Sequence, residues 1–312
     1  METTFSVLGL TGYVYGLCVA FAAAILIVGV KLRRLPAGTS SLFGVLGILL
    51  GVLGARALYC VCNIETFTET FENPWLMLHF FDGGLSLPGA IAGLVAAAAI
   101  TARVMKTPFA RVMDAACVPM GLSIAVLRLG EQFTDLGVGK AVTEGFATET
   151  LPWLFQQSRM GVAVEYRLNV WAYEAVAGVI IFALVALLTR RLKKHDGHTA
   201  LLFFALYGAS QIVLESMRDD GHMLLIFLRV GQLAAAAMLL ISTGLLLRGR
   251  SVRRKAVVWL SDILCAAVLV VLEFSLDGRL TFGTPTLLRD YSIMIAACAV
   301  MLAQPCALLC EK

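Results

Sequence analysis

Charged residues are scarce in this sequence. Only 15% of its 312 residues are Asp, Glu, Lys or Arg, whereas 59% are hydrophobic, and the mean hydropathy is +0.86. About a quarter of the residues in a soluble domain are charged, so the composition excludes an ordinary soluble protein. A helix needs about 20 mostly apolar residues to cross a bilayer. Nine such runs lie near residues 10–30, 42–62, 86–104, 112–129, 168–189, 199–217, 224–247, 256–276 and 290–310.

Several common motifs are also missing. The eight cysteines lack the Cys-x-x-Cys or Cys/His spacing of a metal site, so we expect no metal and no cofactor. No DNA- or RNA-binding motif accompanies the net charge of +4, and we expect no nucleic-acid partner. The first basic cluster follows the first apolar run, and no small-residue cleavage pattern is evident. This predicts an anchor helix and not a removable signal peptide.

The basic residues are concentrated in alternate loops. Fifteen of the 25 Lys and Arg residues lie at 31–34, 103–111, 190–194 and 248–255. The intervening loops carry acidic residues, including Glu72, Asp82 and Glu144. Cytoplasmic loops collect Lys and Arg, so the basic loops are predicted to lie inside. The sequence therefore predicts an all-α, polytopic membrane helix bundle with its N-terminus outside and its C-terminus inside.

Polar residues inside apolar helices indicate function because they are costly in a membrane and usually face a partner or a cavity. In the sixth apolar run, Tyr207, Gln211, Glu215 and Arg218 are spaced at three or four residues. That spacing places them in one stripe on the outer half of the helix. A structural ion pair between Glu215 and Arg218 would explain the stripe without any ligand.

Three arginines, Arg56, Arg128 and Arg218, are predicted near the outer ends of their helices. A single arginine at a helix end can extend to the interface, but three with few acidic neighbours indicate an anionic ligand. A guanidinium group suits phosphate because it donates two parallel hydrogen bonds. Phospholipid head groups are the abundant anions at this depth, so the sequence predicts an anionic phospholipid site.

Seven short motifs occur in a fixed order. They are Tyr15-Gly16-Leu17, Gly54-Ala55-Arg56 with Tyr59, Asp82-Gly83-Gly84-Leu85-Ser86, Arg128-Leu129-Gly130 with Gly139, Tyr173-Glu174, Tyr207-Gly208 through Glu215 to Arg218, and Gly231-Gln232. In this order they resemble the motifs of the prolipoprotein diacylglyceryl transferases of bacterial inner membranes. The resemblance extends over roughly the first 240 residues.

The resemblance implies a seven-helix body and a specific reaction. A diacylglyceryl group would pass from phosphatidylglycerol to the lipobox cysteine thiol of a prolipoprotein signal peptide, on the outer side of the inner membrane. We expect the enzyme to be a monomer. Arg128 and Arg218 would hold the phosphate, Glu215 would orient Arg218, and Tyr207 would stand near the reacting groups. The other expected binding positions are Arg56, Tyr15, Gly83, Gly84, Gly139 and Gln211.

The sequence departs from the family pattern within the motifs. Pro88 stands where the family has a histidine, Glu131 and Thr134 stand at asparagines, Leu136 stands at a glutamate, and Gln211 stands at an arginine. The usual proton acceptor is therefore missing. Glu131 is the candidate replacement for the base, and Tyr207 and Glu215 complete the predicted catalytic set.

Two functions remain open from these residues. One is a divergent diacylglyceryl transferase with a rearranged acid/base set, which we favour. The other is a family member that binds anionic phospholipid or lipoprotein without catalysis. A small-solute transporter is disfavoured because the sequence shows no internal repeat and no pair of broken helices.

The composition changes sharply at RGRSVRRK, where five of eight residues are basic. We take residues 1–249 as the transferase-like membrane domain. Residues 250–312 would form a basic joint and an added pair of C-terminal transmembrane helices. Because this pair contains none of the seven motifs, we expect the body to fold without it.

Overall fold

A computed structural model of the chain describes residues 3–7, 10–70, 73–79, 83–143, 146–160, 163–192, 195–220, 223–225, 228–280 and 287–311. Its α-helices are α1 (Val14–Lys31), α2 (Thr39–Cys62), α3 (Leu87–Val104), α4 (Phe109–Gly130), α5 (Phe146–Thr150), α6 (Val170–Leu192), α7 (His198–Met217), α8 (Val230–Leu246), α9 (Val252–Leu276) and α10 (Leu287–Cys310).

The helices confirm the predicted all-α membrane bundle. Eight of them are long and apolar enough to cross a bilayer, and each coincides with a predicted apolar run. The remaining run corresponds to α8, which has only 17 residues. The direction in which the helices cross the membrane stays a prediction. Among the residues used to predict it, Glu72, Asp82, Glu144, Lys193 and Lys194 lie outside the described ranges.

Short strands that were not predicted from the sequence connect several of the helices. They are β1 (Thr4–Val7), β2 (Leu10–Tyr13), β3 (Val138–Val142), β4 (Phe155–Met160), β5 (Ala163–Asn169), β6 (Leu224–Leu225) and β7 (Leu228–Arg229). The largest sheet has the order β3-β5-β4 and is antiparallel. Tyr166 on β5 is opposite Val142 on one side and Gln157 on the other. This sheet fills much of the connection between α4 and α6.

The chain divides into two compact units, and the first comprises residues 1–200 and 218–231. Its helices pack closely where glycines face one another. A Cβ added to Gly54 on α2 would lie 2.5 Å from the carbonyl oxygen of Gly89 on α3. Gly121 on α4 and Gly178 on α6 are related in the same way, with a Cβ on Gly178 lying 2.7 Å from the Gly121 oxygen. Small residues at such crossings let membrane helices approach by their backbones.

Two residues that interrupt the fourth apolar run have structural roles in α4. The carboxylate of Asp114 accepts hydrogen bonds from the backbone N–H groups of Gly197 and Ala200, at 2.6 and 2.8 Å. It thereby caps the N-terminus of α7, where backbone donors have no helical partner. Pro119 packs against Gly29 of α1, where an added Cβ would lie 2.6 Å from the proline Cγ. The polar and helix-breaking residues are thus accommodated inside a membrane helix.

The second unit comprises residues 201–217 and 232–312. Its apolar core draws on α7, α8, α9 and α10. Two polar contacts cross this core. The Gln232 side chain donates to Glu273 at 3.1 Å, and the Tyr291 hydroxyl donates to the carbonyl of Ser216 at 3.2 Å. The helices α9 and α10 therefore belong to the same compact unit as most of α7 and α8. The predicted division between 1–249 and 250–312 stays a prediction.

Candidate functional site

Two of the predicted arginines meet in a buried cluster in the first unit. Arg128, at the end of α4, contacts Glu131 at 2.5 Å and Glu174 of α6 at 3.1 Å. Arg218, just after α7, contacts the same two carboxylates, Glu131 at 3.4 Å and Glu174 at 2.9 Å. At most 6% of any of these four side chains is exposed. Each carboxylate therefore bridges the two guanidinium groups.

The cluster extends to a third arginine through Asp220. The carboxylate of Asp220 lies 2.6 Å from Arg218 and 3.3 Å from Arg229, and it also accepts from the backbone N–H of Gly137 at 3.1 Å. Arg229 donates to the carbonyl oxygen of Arg218 at 2.6 Å. Gly137 has a φ of +74°, a left-handed conformation that favours glycine. An added Cβ there would lie 2.7 Å from Glu131 Oε2, so this loop closes over the cluster.

The charges within this cluster balance. It joins three arginines to three carboxylates, whereas the sequence analysis inferred too few acidic neighbours for its arginines. The difference arises because Glu174 is 44 positions from Arg218 in the sequence, and because Asp220, although two positions from Arg218, lies beyond the apolar run. A buried arginine requires such compensation, since an unpaired buried charge is strongly destabilising. Anion binding at this site therefore requires a change in the existing ion pairs.

Arg56 lies in α2 and has a different environment, because its guanidinium contacts the connection between α2 and α3. Its guanidinium donates to the carbonyls of Leu76, Met77 and Gly83 at 2.7, 2.9 and 2.5 Å. A longer bond of 3.2 Å reaches the carbonyl of Gly84. These bonds hold the loop to the end of α2. The predicted contact of Arg56 with a lipid stays a prediction.

The paired glycines fit against Arg56 and Tyr59. Gly83 and Gly84 have φ angles of +80° and +68°. A Cβ on Gly84 would collide with the Tyr59 ring and lie 2.7 Å from Arg56 Nη1, whereas one on Gly83 would meet nothing within 4 Å. Ser86 then begins α3, and its hydroxyl accepts from the Gly89 N–H at 3.2 Å. The backbone of residues 83–86 thus packs against Arg56 and Tyr59 before α3 begins.

Tyr15 interacts with the ion-pair cluster and directly precedes a residue that lines an apolar cavity. Its phenol interacts electrostatically with Glu131, Arg128 and Arg218. The cavity has a volume of about 600 Å³ and is lined by α1, α2, α3 and α4. Two of its lining residues, Gly16 and Leu127, are the chain neighbours of Tyr15 and Arg128. The cavity therefore adjoins the helix segments that carry these two site residues.

The remaining predicted residues of α7 belong to the second unit. Tyr207 is buried and stacks on Phe203, with ring centroids 5.7 Å apart. Gln211 is also buried, and its Oε1 has no hydrogen-bond partner among the described residues. Glu215 lies one helical turn further along α7. Roles for Tyr207, Gln211 and Glu215 in binding or catalysis stay predictions.

Gly139 connects the sheet to the segment that follows α7. It forms an isolated bridge with Arg218, and a Cβ at this position would lie 2.6 Å from the Leu168 Cβ. Arg167 on β5 adds an ion pair with Asp219 at 2.8 Å. Hydrogen bonds to Asp219 and then to Glu165 raise the pKa of Arg167 above its ordinary value. The sheet therefore helps fix the backbone that carries Arg218.

Three members of the cluster were not identified as site residues from the sequence. Glu174 appeared only within a motif, and Asp220 and Arg229 were not named among the candidate residues. Glu174 could have been found, because it is an acidic residue in an otherwise apolar helix and such residues are usually partnered. Within the described ranges, no group of three or more His, Cys, Asp or Glu side chains is arranged to hold a metal ion.

The fold and the site define a polytopic helical membrane protein with a buried arginine–carboxylate cluster. Residues 2–248 match the family model described as prolipoprotein diacylglyceryl transferase. The chain therefore belongs to the prolipoprotein diacylglyceryl transferase family.

Curated relatives in the same family are similar over most of the chain. A phosphatidylglycerol–prolipoprotein diacylglyceryl transferase from Symbiobacterium thermophilum is 29% identical over 214 residues, which cover 69% of this chain and 77% of the relative. Proteins of the same name from Paenarthrobacter aurescens and Thermotoga maritima are 28% and 27% identical. Those alignments cover 66% and 64% of this chain, respectively, and 67% of each relative.

Proposed function

We propose that this protein transfers a diacylglyceryl group from phosphatidylglycerol to the lipobox cysteine thiol of a prolipoprotein. We further propose that it acts as a monomer at the outer side of a bacterial cytoplasmic membrane. The observation that carries the proposal is the pair of buried arginines, Arg128 and Arg218, in a chain of this family. Nothing in the site favours a binder without catalysis.

The apolar cavity supports the lipid part of the proposal. It is lined almost entirely by aliphatic side chains and glycines of four membrane helices, which suits the acyl chains of a phospholipid. Arg128 and Tyr15 directly follow or precede cavity-lining residues. A lipid with its chains in the cavity would have its phosphate near these two side chains.

The arginines suit the charge that develops in the reaction. The cysteine sulfur attacks the glyceryl carbon, a C–S bond forms, and the C–O bond to the phosphate breaks. Glycerol phosphate leaves with the bonding electron pair, and the thiol proton passes to a base or to water. The negative charge on the phosphate therefore grows during the step. Arg128 and Arg218 would stabilise this charge once the phosphate has replaced one of their carboxylate partners.

The identity of the base stays a prediction. Glu131 is the candidate from the sequence, but both of its oxygens face guanidinium groups, Arg128 at 2.5 Å and Arg218 at 3.4 Å. A base must have a lone pair within reach of the thiol proton. Each oxygen also has a second lone pair, so Glu131 would meet this requirement if one of these lone pairs came within reach of the thiol.

Rescue of a bacterium depleted of its own diacylglyceryl transferase tests the proposal. We expect the full chain to restore growth and thioether-modified lipoproteins. A control variant, Arg128→Ala, removes one clamp arginine and should not restore them. Normal amounts of the unmodified chain in the membrane without modified lipoproteins would contradict the proposal.

A further inference from the structure

The guanidinium groups of the proposed phosphate clamp are already bound to carboxylates. Glu131 and Glu174 each bridge Arg128 and Arg218, and Asp220 binds Arg218 from its other side. A phosphate that bridges the two arginines, as Glu131 and Glu174 do, takes the place of one of these carboxylates. The way in which each carboxylate is held indicates which one is displaced from the arginines.

Glu174 and Asp220 each have an anchor that Glu131 lacks, a position within a long helix for Glu174 and a backbone hydrogen bond for Asp220. Glu174 is completely buried in α6 and contacts both arginines at about 3 Å. Asp220 is bound by two arginines and by the backbone N–H of Gly137. Both therefore serve as fixed counter-ions for the arginines.

Glu131 is held differently. It lies on a three-residue 3-10 turn after the end of α4. Such turns have poorer hydrogen-bond geometry than an α-helix. The contact of Glu131 with Arg128 is the shortest in the cluster at 2.5 Å, whereas its contact with Arg218 is the longest at 3.4 Å, so it is bound closely to one of the two arginines. The sequence resemblance also places Glu131 where the family has a neutral asparagine, so this carboxylate is an addition to the site in this chain.

Charge balance allows a phosphodiester to replace any one of the three carboxylates, and it therefore permits the displacement of Glu131. With all six groups in place, the cluster of three arginines and three carboxylates is neutral. Removal of Glu131 would leave three arginines and two carboxylates, a net charge of one positive unit. A phosphodiester carries one negative charge, so it could replace Glu131 without leaving an unpaired buried charge.

We infer that Glu131 is a tethered anion that occupies the phosphate position between Arg128 and Arg218 and is displaced when a phosphodiester binds. The inference rests on the proposed function for the identity of that ligand as an anionic phospholipid. In this role Glu131 competes with the lipid phosphate for the two arginines and thereby lowers the affinity for the lipid. This role differs from that of a general base. Competition affects the binding of the lipid, whereas a base acts later, when the thiol loses its proton and the C–S bond forms.

Phosphatidylglycerol binding to the full-length protein separates the two roles. Glu131→Asn and Glu131→Gln keep an oxygen that can accept from Arg128 but remove the competing charge. We expect both variants to bind phosphatidylglycerol in detergent micelles about tenfold more tightly than the unmodified protein, a change of about 1.4 kcal/mol. Glu149→Gln removes the same charge from an exposed position on α5 and should leave the affinity unchanged.

The same titration with soluble glycerol phosphate distinguishes the source of the anion. If the variants bind both ligands more tightly than the unmodified protein does, Glu131 competes with phosphate itself. If they bind only the lipid more tightly, the competition is restricted to the lipid head group. Unchanged or weaker phosphatidylglycerol binding in both folded variants would overturn the inference. Unchanged binding combined with loss of thiol transfer would assign Glu131 as the base instead.

A measurement on the unmodified protein removes any dependence on how the variants fold. The Glu131 side chain is only 5% exposed, and displacement would open it to a carbodiimide reagent. We expect mass spectrometry to show at least twofold more labelling of Glu131 with phosphatidylglycerol than with a zwitterionic lipid. Equal or lower labelling would contradict displacement. Neither readout requires transfer, so an inactive protein that shows both effects would refute the proposed function and retain the inference.

Discussion

At the scale of single residues, the sequence identifies charged groups more readily than their partners. Arg128, Arg218 and Glu131 are recognisable because they are charged in or beside apolar helices. Their pairing cannot be recognised from the sequence, because Arg218 and Glu131 are 87 positions apart in the chain, and Arg218 and Glu174 are 44 positions apart. Arg56 shows that arginines in similar sequence contexts can have different partners. It resembles the other two arginines in the sequence, yet its donors hold the carbonyls of a neighbouring loop.

The two adjacent glycines provide a test at this scale. Both have positive φ angles, so alanine at either position is strained by about 1–2 kcal/mol. Only at Gly84 would the new methyl group also collide with Tyr59 and Arg56. We predict that Gly84→Ala lowers the thermal unfolding temperature in detergent more than Gly83→Ala, which is the matched control. Equal effects would show that the approach of Arg56 to the Gly84 backbone contributes nothing to stability.

At the scale of elements, the long apolar runs were predictable and the short strands were not. A run of about 20 apolar residues is a strong signal because the bilayer sets its length. The strands β4 and β5 have six and seven residues, and side chains on alternate faces leave no continuous apolar run. The helix α8 falls between these cases. Its 17 residues span about 26 Å, slightly less than the bilayer core of about 30 Å.

The length of α8 decides the membrane orientation of the chain after it. If α8 crosses the bilayer, a reporter fused at Lys255 reads cytoplasmic and one fused at Glu149 reads external. The basic residues around 248–255 favour this orientation. We predict that result for protease accessibility or for a paired set of enzymatic reporters. An external reading at Lys255 would show that α8 does not cross and would refute the topology with nine spans.

At the scale of the whole molecule, family similarity and compactness divide the chain differently. The family match covers residues 2–248, which agrees with the change in composition at the basic joint. The apolar core of the second unit, however, includes residues of α9 and α10 together with α7 and α8. Composition identifies the hydrophilic segment between α8 and α9, but it does not show which faces of the helices before and after that segment pack together. The packing of Gln232 against Glu273 could therefore not be predicted, although both are polar residues in apolar helices.

The central claim concerns the whole chain acting on two substrates, and thiol transfer by the purified protein tests it most directly. The full-length protein would be incubated with phosphatidylglycerol vesicles and a lipobox peptide, and the products would be analysed by mass spectrometry. Controls would use a peptide with serine in place of the cysteine and vesicles of a zwitterionic lipid. We predict a peptide that carries one diacylglyceryl group through a thioether, together with one equivalent of released glycerol phosphate. Folded protein that retains phosphatidylglycerol and binds the peptide, yet forms no thioether, would contradict the account.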